Sequence, residues 1–293
     1  MRLAALYTGI DEESALHLEL EEGYASVDEI ARHEGVEKLA GLRDVAELFA
    51  LGEDALEDLR ALEVYATPTL GSRELRLAPP VRRPSKIVCV GLNYLAHIEE
   101  SRREIPDRIV LFSKYASCLV AHGDDVVIPS ITQEVDYEGE LAVIIGKRAS
   151  RVGISDAMNY VGGYSVINDV SARDLQNAEL QWIRGKALDT FAPLGPVVVD
   201  AKSSPSIAEL RIRTTVNGEV RQDASCSQMI TSVPSLISYI SQAITLEPGD
   251  IIATGTPSGV AFGMNPPVYL KPGDSMTVEI NGIGKLSNRL VAG

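Results

Sequence analysis

The sequence predicts a β-rich α+β protein with a small N-terminal α/β domain, on three observations. From Lys86 onward, short runs rich in Val and Ile are separated by turn residues, which is the pattern of strands. Asn217-Gly218 and Asn281-Gly282 each lie between alternating segments, and this dipeptide is a strong signal for a two-residue hairpin. Ahead of Pro79-Pro80 and Pro84 the chain is instead densely acidic, with apolar residues near helical spacing.

Taken in order, Val27 to Leu39 and Asp44 to Leu62 read as helices. The prolines that follow cannot continue a helix, which places a boundary there and divides the chain into residues 1–80 and 81–293. Strands are expected at Ile87–Val90, Ile109–Phe112, Val126–Ile128, Leu141–Ile145, Gly162–Ile167, Val197–Val199 and Leu210–Val216. Ser232 to Ile244 reads as a helix, with Ser232 as N-cap and Pro234 in the first turn. No repeat or low-complexity stretch interrupts the chain.

At 293 residues, 45% hydrophobic and 23% charged, the chain can bury a large core as an ordinary globular protein. A net charge of -14 and a pI near 4.8 argue against nucleic acid or an anionic membrane as partner. Cys89, Cys118 and Cys226 are odd in number and far apart, so they read as reduced core thiols and not as a disulfide or zinc framework. The N-terminus reaches Asp11-Glu12-Glu13 too soon for a signal peptide, and no stretch approaches the roughly 18 apolar residues of a membrane span. A reducing cytoplasm is the expected compartment.

Asp136, Glu138 and Glu140 place three carboxylates within five residues, just before an apolar run. In a strand Glu138 and Glu140 share a face and repel unless a cation lies between them. On spacing alone the solvated face of an edge strand is the more ordinary reading. Asp169, at the end of the run Gly162 to Ile167, shifts the balance by offering a third carboxylate. Oxygen ligands with no His or Cys neighbour suit a hard ion such as Mg²⁺ or Mn²⁺, with Ca²⁺ a further candidate.

Gly91 to Glu100 follows a predicted strand as a loop leading into a short helix, where His97 and Glu100 lie three apart on one face. Glu100 can then orient the imidazole and raise its basicity; the plain alternative is an exposed ion pair. Lys186, between Gly185 and the apolar segment around Phe191, is either a surface lysine or a fixed charge for a developing oxyanion. Thr254-Gly255-Thr256-Pro257 lacks a Walker lysine, so it reads as a tight turn offering Thr256 and backbone N–H groups to a carboxylate.

In order, Lys86-Ile87-Val88-Cys89-Val90-Gly91-Leu92-Asn93-Tyr94, Asp136-Tyr137-Glu138-Gly139-Glu140-Leu141, Asn168-Asp169-Val170-Ser171-Ala172-Arg173-Asp174, Gly185-Lys186 with Asp189-Thr190-Phe191, and Thr254-Gly255-Thr256-Pro257 resemble the motifs of the fumarylacetoacetate hydrolase family. The likeness covers roughly residues 75 to 291. It implies a mixed β-sheet fold, a homodimer, and a metal held by Glu138, Glu140 and Asp169. It also implies that His97 with Glu100 activates water, that Lys186 is the active-site lysine, and that Arg173, Gln176 and Thr256 lie at or near the substrate. Asp136 is left a supporting role. Val260 to Asn265 departs from the family pattern, in which more glycine and a basic pair are frequent.

The resulting expectation is a Mg²⁺- or Mn²⁺-dependent hydrolase that cleaves a carbon–carbon bond in a short 2,4-dioxo acid of acylpyruvate or fumarylpyruvate type, through a metal-stabilised enolate. Decarboxylation of an oxaloacetate-like 2-oxo acid, or isomerisation of a 2-hydroxy-diene-dioate in aromatic catabolism, uses the same intermediate. A catalytically silent metal-binding scaffold is the reading from a different class. Selection of the distal chain is expected from the segment around Glu100 to Asp107 and from the N-terminal region; Arg102, Arg103 and Arg108, in or beside that segment, meet a distal carboxylate or are simply solvated.

Overall fold

A computed structural model describes residues 1–9, 13–69 and 75–293; Asp11 and Glu12 lie outside them. The N-terminal segment opens with strands β1 (Arg2–Tyr7), β2 (Ser14–Leu20) and β3 (Gly23–Ser26), followed by helices α1 (Val27–His33), α2 (Val45–Ala50) and α3 (Glu53–Leu62). Each expected long helix is therefore shorter or divided. Gly35 at φ 72° follows α1, and Gly52 at φ 90° separates α2 from α3, because a left-handed residue cannot continue a right-handed helix. Asp44 caps α2 by accepting the Glu47 N–H at 3.1 Å and holds the chain after the prolines through the Arg82 N–H at 2.9 Å.

Strand β4 (Leu77–Ala78) leads into β5 (Ile87–Gly91), α4 (Leu95–Glu100), β6 (Val110–Lys114), β7 (Leu119–Val120) and β8 (Asp125–Ile128). Next come β9 (Val135–Asp136), β10 (Gly139–Ile145), β11 (Val161–Asn168) and β12 (Ser171–Ala172), then α5 (Arg173–Ala178), α6 (Ile183–Lys186) and β13 (Ala192–Asp200). The C-terminal part contains β14 (Arg211–Val216), β15 (Glu219–Ser225), α7 (Val233–Ala243), β16 (Ile251–Ala253), β17 (Ser275–Ile280) and β18 (Gly284–Ala292). The expected strands are all present, within a few residues at their ends.

Among the described residues, one large mixed sheet runs β3-β2-β1-β13-β11-β10-β16-β5-β6, and a second runs β15-β14-β17-β18-β8. Strand β10 is buried along its whole length, as its unbroken apolar run requires of a central strand. The N-terminal strands join the large sheet where β1 pairs with β13, Leu3 opposite Val198. Helices α2 and α3 place Leu48, Phe49 and Leu59 in the same apolar cluster as Ile144 and Val198.

Asn217 (φ 51°) and Gly218 (φ 83°) form the expected two-residue turn between β14 and β15. The second hairpin differs. Ile280 pairs with Gly284, leaving a three-residue loop in which Gly282 alone takes positive φ, at 74°, and the Ile283 N–H returns to Ile280 O. Among the described residues, no helix is long and apolar enough to cross a membrane.

Candidate active site

Pairing direction brings the acidic residues together. Strands β10 and β11 are antiparallel with Gly139 opposite Asn168 and Glu140 opposite Ile167, so the start of one lies beside the end of the other. Glu138 immediately precedes β10 and Asp169 immediately follows β11. The Asp169 N–H donates to Glu138 O at 2.8 Å, and Asn168 Oδ1 accepts the Glu138 N–H at 3.0 Å. One carboxylate oxygen from each of Glu138, Glu140 and Asp169 then lies within 4.8 Å of the others, and all three residues are buried.

Strand alternation alone does not produce this cluster. Glu138 lies in the break between β9 and β10, held there by Asn168, and Asp136 lies on the other side of that break. Asp136 accepts the N–H groups of Tyr137, Ala261 and Phe262 at 2.8, 2.8 and 3.0 Å, so it anchors the start of the segment Val260–Asn265, and Arg173 also donates to it.

Strand β16 flanks β10 and runs parallel to β5, so the turns after both strands reach the site. Gly255, at φ 97°, donates its N–H to Glu140 Oε2 at 2.8 Å. Thr256 Oγ1 donates to Gly139 O at 3.0 Å and accepts from Gln222 Nε2 at 2.7 Å. After β5, helix α4 carries His97 Nδ1 2.9 Å from Glu100 Oε1, while Glu100 Oε2 accepts the Gly259 N–H at 2.8 Å. The far side of the imidazole is left to the pocket that Glu138, Glu140, Lys186 and Thr256 also line.

The buried cations come from the segment between β11 and β13 and from β6. Lys186 Nζ donates to Asp169 Oδ2 at 2.7 Å and to Glu138 Oε2. It reaches them because α6 packs directly on α5: a Cβ on Gly185 would stand 2.5 Å from Gln176 N. Burial opposes the lysine's charge, but Asp169 and Glu138 outweigh it and raise its pKa. Arg173 donates from Nε to Asp136 at 2.8 Å, from Nη1 to Gln176 Oε1 at 2.9 Å and from Nη2 to Glu138 Oε1 at 2.6 Å. Of its five N–H donors three are thus taken within the protein.

Sequence reasoning missed Lys114. This buried ammonium stands 2.7 Å from Asp169 Oδ1 and donates to the backbone carbonyls of Val170, Phe191 and Lys186. A lysine ending a strand has no local signal of such a role. It also missed Phe262, whose ring lies 5.7 Å from the Arg173 guanidinium.

The donor set fits a cation. Burial pushes Glu138 up, but the charges of Arg173 and Lys186 hold it below the usual carboxylate range. Glu140 is the reverse: burial and then the charges of Asp169 and Glu138 push it well above that range. Among the described residues no cationic side chain pairs with Glu140, and Asp169 Oδ1 accepts no aligned hydrogen bond despite its proximity to Lys114. A hard divalent ion supplies what both lack.

Acidic, basic and imidazole groups gathered at the strand ends of mixed sheets make up a candidate acid–base site around a candidate metal centre. Residues 86–291 match the fumarylacetoacetate (FAA) hydrolase C-terminal family, and the chain belongs to that family. It is 43% identical over 251 residues, 85% of this chain and 80% of the other, to the mitochondrial oxaloacetate tautomerase FAHD2A of Bos taurus. It is 47% identical over 221 residues, 74% of this chain and 73% of the other, to the oxaloacetate tautomerase YisK of Bacillus subtilis (strain 168). Among solved structures, maleylpyruvate hydrolase from Sphingobium sp. SYK-6 in complex with manganese(II) and pyruvate is similar at a TM-score of 0.81, with 29% identity and 100% of both chains covered.

Proposed function

We propose that the protein interconverts the keto and enol forms of an oxaloacetate-like 2-oxo acid, using His97 as the acid–base group and Glu138, Glu140 and Asp169 as ligands of Mg²⁺ or Mn²⁺. The carrying observation is the His97–Glu100 pair, held at 2.9 Å in the same pocket as the three carboxylates. A divalent cation bound there supplies Lewis acidity to the carboxylate and carbonyl oxygens of a 2-oxo acid. Glu100 fixes the imidazole through Nδ1, so Nε2 takes the proton from the carbon beside the carbonyl and delivers it to the carbonyl oxygen, which returns the imidazole to its neutral form with no water consumed. Lys186 sets a positive charge beside the ligands, and Thr256 closes the pocket wall. The tautomerase relatives support this order of readings.

The hydrolytic reading that the sequence put first becomes the second, because the same imidazole can instead activate a water and the manganese-bound neighbour is a hydrolase. Decarboxylation of oxaloacetate starts from the keto form, breaks the bond to the distal carboxylate to release carbon dioxide and leaves the enolate of pyruvate, so it is measured beside tautomerisation. With Mg²⁺ or Mn²⁺ present, ultraviolet decay of enol-oxaloacetate, carbon dioxide release and acylpyruvate loss are followed on one preparation. Tautomerisation is expected to be fastest, and His97→Ala to lower its kcat by about 10²- to 10⁴-fold. Faster acylpyruvate cleavage restores the hydrolase reading, and no turnover on any of the three leaves the metal-binding scaffold.

A further inference from the structure

Arg103 owes its place to the way helix α4 ends. Arg102 takes φ 53°, a left-handed position more usual for Gly. The Arg102 N–H donates to Glu99 O and the Arg103 N–H to Ile98 O, each at 3.1 Å, the paired bonds of a Schellman stop. That stop turns Arg103 back against the pocket it lines with His97 and Glu138, whereas Arg102 and Arg108 are exposed.

The Arg103 guanidinium lies 5.1 Å from the centre of the Trp182 ring, and Nη2 donates to Asn177 Oδ1 at 3.1 Å. Neither neighbour carries charge. Among the described residues no carboxylate lies within ion-pair distance of Arg103. By contrast, Arg173 and Lys186 pair with buried carboxylates and His97 with Glu100. Burial and then the charge of Arg173 make the charged form of Arg103 less favourable than in water, against the opposing charge of Glu138, so an anion placed beside Arg103 is stabilised. Trp182 can close over this point because a Cβ on Gly91 would stand 2.7 Å from its ring.

We infer that Arg103, steadied by Trp182 and Asn177, binds a second carboxylate of the substrate, so that the site selects 2-oxo dicarboxylates over 2-oxo monocarboxylates. The inference rests on the proposed function for the position of the reacting 2-oxo acid group. Its test compares kcat/KM for oxaloacetate and for its 4-methyl ester in the wild type, Arg103→Gln and Arg103→Lys. The diacid-to-ester ratio should fall at least about tenfold in Arg103→Gln, as for a lost hydrogen-bonded charge pair, and less in Arg103→Lys, which keeps the charge without the planar fork. A ratio that does not move in Arg103→Gln overturns the inference.

A binding measurement separates this result from the fate of the proposed reaction. With Mn²⁺ present, malate should raise the melting temperature of the wild type more than 2-hydroxybutanoate does, and Arg103→Gln should erase the difference. That outcome supports the second-carboxylate site even if oxaloacetate is not turned over. Equal shifts with both ligands in the wild type, or a difference that survives in Arg103→Gln, overturn it.

Discussion

Glu140 is the residue on which the metal reading turns. It is buried beside two other carboxylates, accepts one backbone N–H and is pushed well above the usual carboxylate range, first by burial and then by Asp169 and Glu138. Without a cation, burial and the neighbouring carboxylates act against its charge, so Glu140→Gln keeps the shape and removes the source of that repulsion. We expect Glu140→Gln in chelator to melt at or above the wild-type temperature. Saturating Mg²⁺ or Mn²⁺ should stabilise the wild type by about 3 kcal/mol at 100 times Kd and the variant by little. Differential scanning calorimetry with and without chelator measures both, and an equal metal-induced shift in the two proteins would remove Glu140 from the ligand set.

At the scale of elements, the α5–α6 contact sets the position of Lys186. Gly185→Ala places a methyl group against Gln176 N and Cα, at 2.5 and 2.6 Å, and backbone cannot swing aside as a side-chain tip can. Overpacking of this kind costs about 1–3 kcal/mol. It should lower kcat more than the melting temperature alone explains, because Lys186 moves away from Glu138 and Asp169; steady-state kinetics at a temperature where the variant is fully folded reads this.

Helix α3 offers a pH test. Hydrogen bonds from Lys202 and then Arg60 hold Glu53 down to about 2, against the opposing effect of burial. A carboxylate depressed in the folded state stabilises above its unfolded value of about 4.5 and loses that contribution as pH falls toward 2. Glu53→Gln should therefore be less stable than the wild type at neutral pH, with the difference shrinking across that window in urea titrations. The group is partly exposed, and solvent screening keeps the effect small.

Across the whole molecule, the N-terminal segment lies on the sheet that carries the site. Phe49 of α2 is buried, and its ring packs where Gly162 of β11 has no side chain, seven residues before Asp169. Phe49→Ala should cost about 3–5 kcal/mol and lower the melting temperature by on the order of 10 °C. We expect one cooperative transition, monitored by circular dichroism and by loss of metal binding together. Two separated transitions would show residues 1–80 unfolding on their own.

Much of this was readable from local pattern. Val- and Ile-rich runs mark strands because β-branched side chains suit a pleated surface, and Asn217-Gly218 marks its hairpin because both residues accept positive φ. The divided helix at Gly52 and the longer loop at Gly282 were harder, since one glycine can end, interrupt or merely tolerate an element. His97 and Glu100 were legible because they are three apart on one short helix. Lys114, Phe262 and the isolation of Arg103 were not, because their partners Asp169, Arg173 and Trp182 are distant in sequence.

By itself the sequence determined the strand-rich body, the identity of the acidic, imidazole and lysine groups, and the family to which their motifs belong, since these depend on residue type and short spacing. Only the tertiary structure decided that Glu138 and Glu140 are buried and not a solvated edge. That outcome depends on antiparallel register between β10 and β11, on parallel pairing of β5 with β16, and on cations arriving from Lys114, Arg173 and Lys186. Charge compensation in a buried site is a property of groups brought together across the fold, which no local pattern can encode.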